Sequence, residues 1–404
     1  MNFRSINSLA SRALSLFVVG LFLLTAGCAA KESKTSSGTL VLEDDEQRLW
    51  RQVRDEEKRI DRSGHVLQDA ELNAYLNEIA KAVAGDRFAD QGMSFQVKVI
   101  KNPLLNAFTE PNGVIYVHTG ILIKMENEAQ LATLLGHEMI HALNRHSVRS
   151  LRRMKGTSAT LIGFQILTLP FGLVGSLANL LGTAGALASI SGYSQEFETE
   201  ADTDGLALMV AAGYSPGEAA KLFAHLKKDV EDHKQKEPFF FGSHPRLEER
   251  IANYEGLVST VYSGTQGKIN ADQFSNRIRA LILENTRLNI AMGRFPAAEQ
   301  DLQRAIARYG ESADFRFTLG EVYAQRAEPS DLDKAQKEYQ LALASNPNYA
   351  LAYKALALVY YKQGKGDLAR TAFERYLQSS PSAEERAYIE GYLGSLAREK
   401  GTAQ

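Results

Sequence analysis

Gly136-His137-Glu138-Met139-Ile140-His141-Ala142 sets two histidines four residues apart, with a glutamate directly after the first. On a helix, positions four apart share one face, so both imidazoles aim at one point and Glu138 reaches that point from beside them. Two neutral imidazoles can hold a divalent ion, and an adjacent carboxylate can take a proton from water. The helix is predicted to begin at Asn127, whose side chain caps it, with Gln130 three residues later completing a capping box. Leu131, Leu134, Leu135 and Ala142 supply its buried stripe. Two histidines do not complete a site, so a third ligand must lie elsewhere in the chain.

His146 lies nine residues beyond His137, which turns it to the opposite side of a continuous helix and gives it a supporting or surface role. Downstream, Glu196, Glu198 and Glu200 precede Asp202 and Asp204 on a segment whose apolar residues Phe197, Ala201, Leu208 and Met209 recur at helical spacing. Glu198 with Asp202, and Glu200 with Asp204, are each four apart. Either pair could offer one carboxylate to an ion and another to the free N–H of a ligating histidine. The spacing leaves the register open, and five carboxylates this close also fit a solvated acidic face. His244 follows Gly242-Ser243 and precedes Pro245, so it belongs to a loop. There it could contact substrate, take a fourth metal position as a latch, or simply pack beside Arg250 and the metal helix. Arg250 reads as a support of the cleft through a carboxylate.

The bulk numbers narrow the alternatives. At 404 residues the chain exceeds one ordinary core, and 46 basic against 48 acidic residues leave no footprint for nucleic acid. Cys28 is the only cysteine, so a metal site in the folded body must use His, Asp or Glu. Arg4 and Arg12 precede a charge-free apolar run from Ala13 to Leu24, the pattern of a secretory signal over residues 1–27. Leu24-Thr25-Ala26-Gly27-Cys28 resembles a bacterial lipobox, which would lipidate Cys28 and anchor the chain; a plain secretory signal is the other reading. Ala29 after the cysteine resembles lipoproteins sorted to the outer membrane. Residues 28–43 are polar and read as a tether.

Helical spacing starts near Asp44, and Leu72, Leu76, Ile79 and Val83 predict a second helix over 69–83. Phe95, Val97 and Val99 alternate with polar residues, and Val114 to Val117 follow a Pro-Asn-Gly turn. Together they predict a small antiparallel sheet whose edge near Ile115 to Val117 would hold an extended peptide, or which merely packs on helices. Residues 156–195 carry no charged residue and no histidine, and they fit a lid or groove element, a buried helix pair or a membrane hairpin. Beyond 270 the chain repeats: Ala335, Tyr339, Ala342 and Pro347 recur 34 residues later as Ala369, Phe373, Tyr376 and Pro381, the tetratricopeptide period. Leu319-Gly320 with Tyr323 matches Leu356-Ala357 with Tyr360 at a longer offset, which implies an insertion around Glu328 to Asp331. An earlier copy uses Gly293-Arg294-Phe295, Ala298, Leu302 and Ala305, and Ala383 to Leu396 would cap the stack.

Residues 136–142, together with Glu198-Thr199-Glu200-Ala201-Asp202, His244-Pro245, Arg250-Ile251 and Asn106-Ala107-Phe108, resemble the gluzincin family of HtpX and the CAAX prenyl proteases. In that family's pattern the ligating glutamate stands three residues before an Ala-Asp pair. The resemblance thus implies His137, His141 and Glu198 as ligands of one zinc ion per chain, Glu138 as general base, and Asp202 as the partner of Glu198 that orients a ligating histidine. With carboxy-terminal repeats, the chain is similar to the periplasmic branch of that family, and it departs from the multi-span membrane branch in having no convincing span after its signal. The expectation is an α+β, mostly helical chain: a zincin-type metalloprotease domain over 44–262, then an all-α tetratricopeptide-repeat solenoid over 270–400. Implied substrates are unfolded or misassembled envelope proteins, with a protein partner at the repeats and a Gram-negative periplasmic, lipid-anchored location. A repeat-based scaffold or chaperone with a latent site is the alternative, and a hydrolase of peptidoglycan crosslinks a further one.

Overall fold

Short apolar runs between turn formers build a three-stranded sheet of β1 (Gln96–Ile100), β2 (Ala107–Thr109) and β3 (Val114–His118). The structure is a computed structural model that describes residues 42–85, 93–157, 193–232, 244, 246–379 and 382–402. The signal-like segment with Cys28, most of the tether and most of the 156–195 stretch lie outside those residues. Strand order is β1-β3-β2, with β2 antiparallel and β1 parallel to β3. The sheet is therefore mixed, where the alternation predicts an antiparallel one. The hairpin sends β2 back along one side of β3, so the first and third strands, which run the same way, meet directly. Gly113 in the hairpin turn has φ 92°, and a Cβ there would lie 2.7 Å from the Ser94 carbonyl oxygen, so conformation and space both require glycine.

The edge also differs from the sequence reading. Ile115 to Val117 are fully buried in the central strand. The outer side of β1 is occupied: Leu67 N–H donates to Val99 O at 2.8 Å, and Lys101 N–H donates to His65 O at 2.8 Å. The Asn77 amide adds bonds to Val97 N–H and O at 2.9 and 3.1 Å. β2 is left as the open edge among the described residues, and it packs against the helix that carries His137.

Helix α1 (Asp44–Arg62) buries Leu49, Val53 and Ile60. Helix α2 (Ala70–Ala84) starts at Asp69, whose carboxylate accepts from Leu72 N–H at 2.9 Å, and buries the predicted Leu72, Leu76, Ile79 and Val83. After the short α3 (Thr119–Leu122) comes α4 (Glu128–Leu143), capped as its sequence predicts: Asn127 Oδ1 accepts from Gln130 N–H at 3.0 Å. Gln130 Oε1 reaches back to Glu126 N–H at 2.9 Å. All 16 residues of α4 are buried, so it runs through the core instead of along its surface. Each buried leucine contributes roughly 1.5–3 kcal/mol, and Leu135→Ala alone would cost about 2–5 kcal/mol. Helices α5 (His146–Thr157), α6 (Gln195–Ala211), α7 (Glu218–Asp232) and α8 (Leu247–Thr260) surround it.

The repeat region is helical throughout: α9 (Ala271–Ala291), α10 (Phe295–Tyr309), α11 (Ala313–Arg326), α12 (Asp331–Ser345), α13 (Ala350–Lys362), α14 (Gly366–Leu377) and α15 (Ala383–Thr402). The repeated Ala335, Tyr339 and Ala342, and Ala369, Phe373 and Tyr376, are all buried between neighbouring helices. The longer offset is accommodated at the α11–α12 turn, where Ala327 and Ser330 take left-handed conformations. Asp331 holds that turn through Arg326 at 2.8 Å and Glu328 N–H at 3.0 Å. Helix α9 serves two cores: Phe274, Ile278 and Leu281 belong to the core that includes α4, and Ile282 belongs to that of the repeats. Lys124 bridges Asp229 of α7 and Asp301 of α10, each at 2.6 Å, which fastens the first repeat to the half that carries α4.

Candidate metal centre

Helices α4 and α6 cross with their backbones in contact. A Cβ on Gly136 would lie 2.5 Å from Gly205 O, and one on Gly205 would lie 2.7 Å from Gly136 C. Only glycine at both positions allows this approach, and it carries Glu198 and Asp202, on the turns of α6 before Gly205, toward the histidines of α4. The two distant stretches therefore meet. His137 Nε2 lies 3.0 Å from His141 Nε2 and 3.6 Å from Glu198 Oε2, and His141 Nε2 lies 3.5 Å from Glu198 Oε1.

His244, in the bend before α8, joins them. Its Nδ1 lies 3.1 Å from both His137 Nε2 and Glu198 Oε1, and its Nε2 lies 3.4 Å from Glu138 Oε1. Four ligand atoms from His137, His141, Glu198 and His244 thus lie within 4.8 Å of one another. Ligands about 2.0–2.1 Å from a tetrahedral ion are separated by about 3.3 Å, and the five distances among these four atoms' groups bracket that edge.

Charge fits a dication as well as geometry does. Glu138, Glu198 and Asp202 are buried with Arg250 as the one buried guanidinium beside them. Three carboxylates against one cation leave two negative charges that burial makes costly. The histidines complete this electrostatic picture. Burial, with the Arg250 charge, lowers the His137 pKa, and burial, with the other imidazoles, lowers that of His141 much further, so both are held neutral as ligation requires. Burial opposes protonation of His244 too, but the Glu198 and Glu138 carboxylates outweigh it and raise its pKa.

Each ligating-type histidine of α4 is oriented from behind. Asp202 Oδ1 lies 2.9 Å from His137 Nδ1. Arg250 Nη2 donates to the same Asp202 oxygen at 2.6 Å, and Tyr254 O–H donates to it at 2.8 Å. Burial raises the Asp202 carboxyl, yet Arg250 and the His137 N–H hold it far below the usual carboxylate range. His141 is served differently: its Nδ1 lies 2.8 Å from His146 Nδ1, and His146 Nε2 lies 3.2 Å from Glu200 Oε2. Asn144 Nδ2 fixes Glu200 at 2.6 Å, and Tyr193 stacks on His141 with ring centroids 4.0 Å apart.

Sequence reading brought His137, Glu138, His141, Glu198, Asp202, His244 and Arg250 to one place, and the structure does so too. What it missed is that His146, read as supporting or surface, joins Glu200 behind His141. The nine-residue spacing assumes one continuous helix, but α4 ends at Leu143 and Arg145 is left-handed at φ 53°, which swings His146 back onto His141. Glu200 entered only as a rival ligand, and Tyr193 carried no signal. The break after Leu143 was readable in Asn144, a residue that favours helix ends.

The strand-edged core, the two-helix His-His-Glu cluster and the adjacent glutamate define a metallopeptidase of the zincin class. The profile of Peptidase family M48 matches residues 67–258, and that of the tetratricopeptide repeat matches residues 287–330 and 328–384. Metalloprotease LoiP of Escherichia coli (strain K12) is 32% identical over 192 residues, 47% of this chain and 72% of that protein. The chain belongs to peptidase family M48. The beta-barrel assembly-enhancing protease of the same E. coli strain is 25% identical over 346 residues, 81% of this chain and 67% of that protein. A putative beta-barrel assembly-enhancing protease of Vibrio cholerae serotype O1 is 28% identical over 192 residues, 46% of this chain. The chain spans 39% of that relative's length.

Proposed function

We propose that this chain is a zinc-dependent endopeptidase of the bacterial cell envelope, acting in quality control or assembly of envelope proteins. The observation that carries the reading is the convergence of four ligand atoms, from His137, His141, Glu198 and His244, within 4.8 Å beside the Glu138 carboxylate. His137, His141 and Glu198 would hold one zinc ion, which when bound supplies Lewis-acid polarisation of the substrate carbonyl and of the attacking water. Glu138 takes the proton from that water and returns it to the departing amine. Asp202 keeps His137 in the Nδ1–H tautomer, so that Nε2 stays a donor toward the ion, and Arg250 neutralises Asp202 and Glu198 in turn. The open edge of β2, rather than β3, would take the substrate as an added strand.

His244 Nδ1 sits where a water or a carbonyl would have to bind. Hydrolysis then needs His244 to withdraw, so the arrangement supports a latched state. The same observation favours a second reading, a repeat-based scaffold or chaperone whose protease site stays latent. Around this centre the proposed organisation is a signal over 1–27, lipidation of Cys28, a tether over 28–43, a peptidase domain over 44–262 and a repeat domain over 270–400. No helix among the described residues is long and apolar enough to cross a membrane. Location in the periplasm at the outer membrane, anchored by lipid, rests on the lipobox-like residues before Cys28. The partners would be unfolded or misassembled envelope proteins in the cleft and a protein docked on the repeats; the names of the E. coli and Vibrio relatives support this choice of client.

The test is degradation of an unfolded outer-membrane protein by the purified chain, by a Glu138→Gln variant and by the chain with its metal chelated. Peptide bonds should be cut only by the first, while Glu138→Gln retains one equivalent of zinc. Equal degradation by the variant would remove the mechanism, and zinc binding without any cleavage would favour the scaffold.

A further inference from the structure

Between α4 and α5 the chain reverses at a single residue. Helix α4 ends at Leu143, Arg145 N–H donates to Ala142 O at 3.1 Å, and Arg145 O accepts from Arg149 N–H at 2.8 Å to start α5. Arg145 does this in a left-handed conformation, φ 53°, where the Cβ of any residue but glycine crowds the following carbonyl oxygen. Left to itself it would take the right-handed form, α4 would run on, and His146 would turn away from His141. In the reversed form the His146 ring stacks on Phe197, centroids 4.2 Å apart, with its nitrogens on His141 and Glu200. A strained arginine needs a contact to hold it, and the one it has comes from outside the residues 67–258 matched by the family profile.

Glu46 of α1 makes that contact. It is 1% exposed, and Arg145 Nη1 lies 3.1 Å from its Oε1 and donates to its Oε2 at 3.3 Å. The next guanidinium, of Arg152, stands at 3.8 Å. Glu46 cannot follow Arg145 away, because its Oε2 also accepts from Glu43 N–H at 2.8 Å and caps the helix. Helix α1 is itself fastened on two sides. Leu49 and Val53 pack with Val148 and Leu151 of α5, and Asp45 accepts two bonds from Arg152 at 2.8 and 3.0 Å. Lys98 of β1 ties Glu57 and Asp61 at 2.8 and 2.9 Å. We propose that Glu46 is a positioning residue for the metal centre: by clamping Arg145 in its left-handed conformation it keeps His146 behind His141, so a helix outside the peptidase profile sets how firmly the ion is held.

This inference rests on the metal-site reading, and part of its test needs no metal. Arg145→Ala and Arg145→Gly both remove the guanidinium and leave Glu46 equally unpaired, but only alanine keeps the Cβ that opposes the reversal. In an ordinary helical position alanine is the more favourable of the two, so the expected order here is inverted. Competition with a chromophoric chelator should give Arg145→Ala about tenfold weaker zinc binding, the low end of what lost ligand support costs, and Arg145→Gly within about threefold of the unaltered chain. Glu46→Gln keeps the cap of α1 but loses the charge that draws the guanidinium. It should weaken zinc binding in the unaltered chain and not on the Arg145→Gly background. In the metal-free chain, nitrogen NMR of the imidazoles should show the His146 signals displaced in Arg145→Ala and kept in Arg145→Gly. Equal losses in the alanine and glycine variants, or a Glu46→Gln loss that persists on the glycine background, would make the pair a packing contact of α1 and overturn the proposal. A chain that binds no zinc in any form would defeat the metal-site reading, and the His146 signals would still decide the clamp.

Discussion

Gly205→Ala is a substitution whose sign is decided by the helix crossing. Taken as a helix residue alone, alanine should stabilise α6 by up to about 1 kcal/mol relative to glycine. The crossing opposes this. The added Cβ would stand 2.7 Å from Gly136 C and from His137 N, and 2.9 Å from Gly136 O. Carbon contacts relax at about 3.5 Å, so α4 and α6 must part by about 0.8 Å at this point. All the atoms struck are backbone, which leaves no side chain to yield, and such overpacking costs roughly 1–3 kcal/mol. The larger effect falls on the ion. Ligand distances tolerate about 0.2 Å, whereas the parting moves the turn of α6 that holds Glu198 away from His137 and His141. The variant should fold with a modestly lower Tm and lose at least about tenfold in zinc affinity, the range seen when ligand support is removed. Competition with a chromophoric chelator measures the affinity, and differential scanning with and without zinc measures the stability. Zinc affinity unchanged together with a raised Tm would show that the glycine contact does not set the ligand geometry.

Three further outcomes are expected. His146→Ala and Glu200→Gln should each weaken zinc binding by about tenfold to a hundredfold, with His146→Gln recovering part of the loss; full affinity in both variants would make that pair structural only. His244→Ala should speed cleavage of a short peptide, because it clears the position its Nδ1 fills 3.1 Å from Glu198 and His137; a slower rate would assign His244 to the reaction rather than to the latch. His118, on β3 and outside the four-residue cluster, has its pKa lowered by burial to about 3. Its ordinary value near 6.5 applies in the unfolded chain, which therefore takes up a proton that the folded chain refuses as pH falls from 6.5 toward 3. Stability is fully kept above that window and should decline within it by about 1.4 kcal/mol per pH unit for this group. Denaturant titrations in chelator should show a shallower acid limb for His118→Asn, and an unchanged limb would contradict the burial argument.

The parts of the fold that were legible are those in which local chemistry and global packing agree. Asn127 and Gln130 cap α4, Asp69 caps α2, and the 34-residue recurrence of Ala, aromatic and Ala places the repeat helices. The sheet was legible as strands but not as topology, because alternation records which face of a strand is buried and says nothing about which neighbour it meets. Val114 to His118 is buried on both faces, and that continuous apolar run was the available sign of a central strand.

The metal site divides along the same line. Four-residue spacing within α4 could be read directly, since one helix fixes the separation of His137 and His141. The choice of Glu198 over Glu200 could not, because each begins a carboxylate pair four apart and the selection depends on how α6 is rotated against α4. That rotation is set where Gly136 meets Gly205, 69 positions away in the chain, and nothing within either helix pattern marks those glycines as partners. Glu198 turns to the histidine nitrogens, and Glu200 turns two residues further round to His146. The rival carboxylate is thus not idle, since a backbone reversal at Arg145 brings a third histidine to meet it. A centre of this kind is specified by a contact between two small residues and by a helix break, and both act through tertiary geometry that spacing alone does not carry.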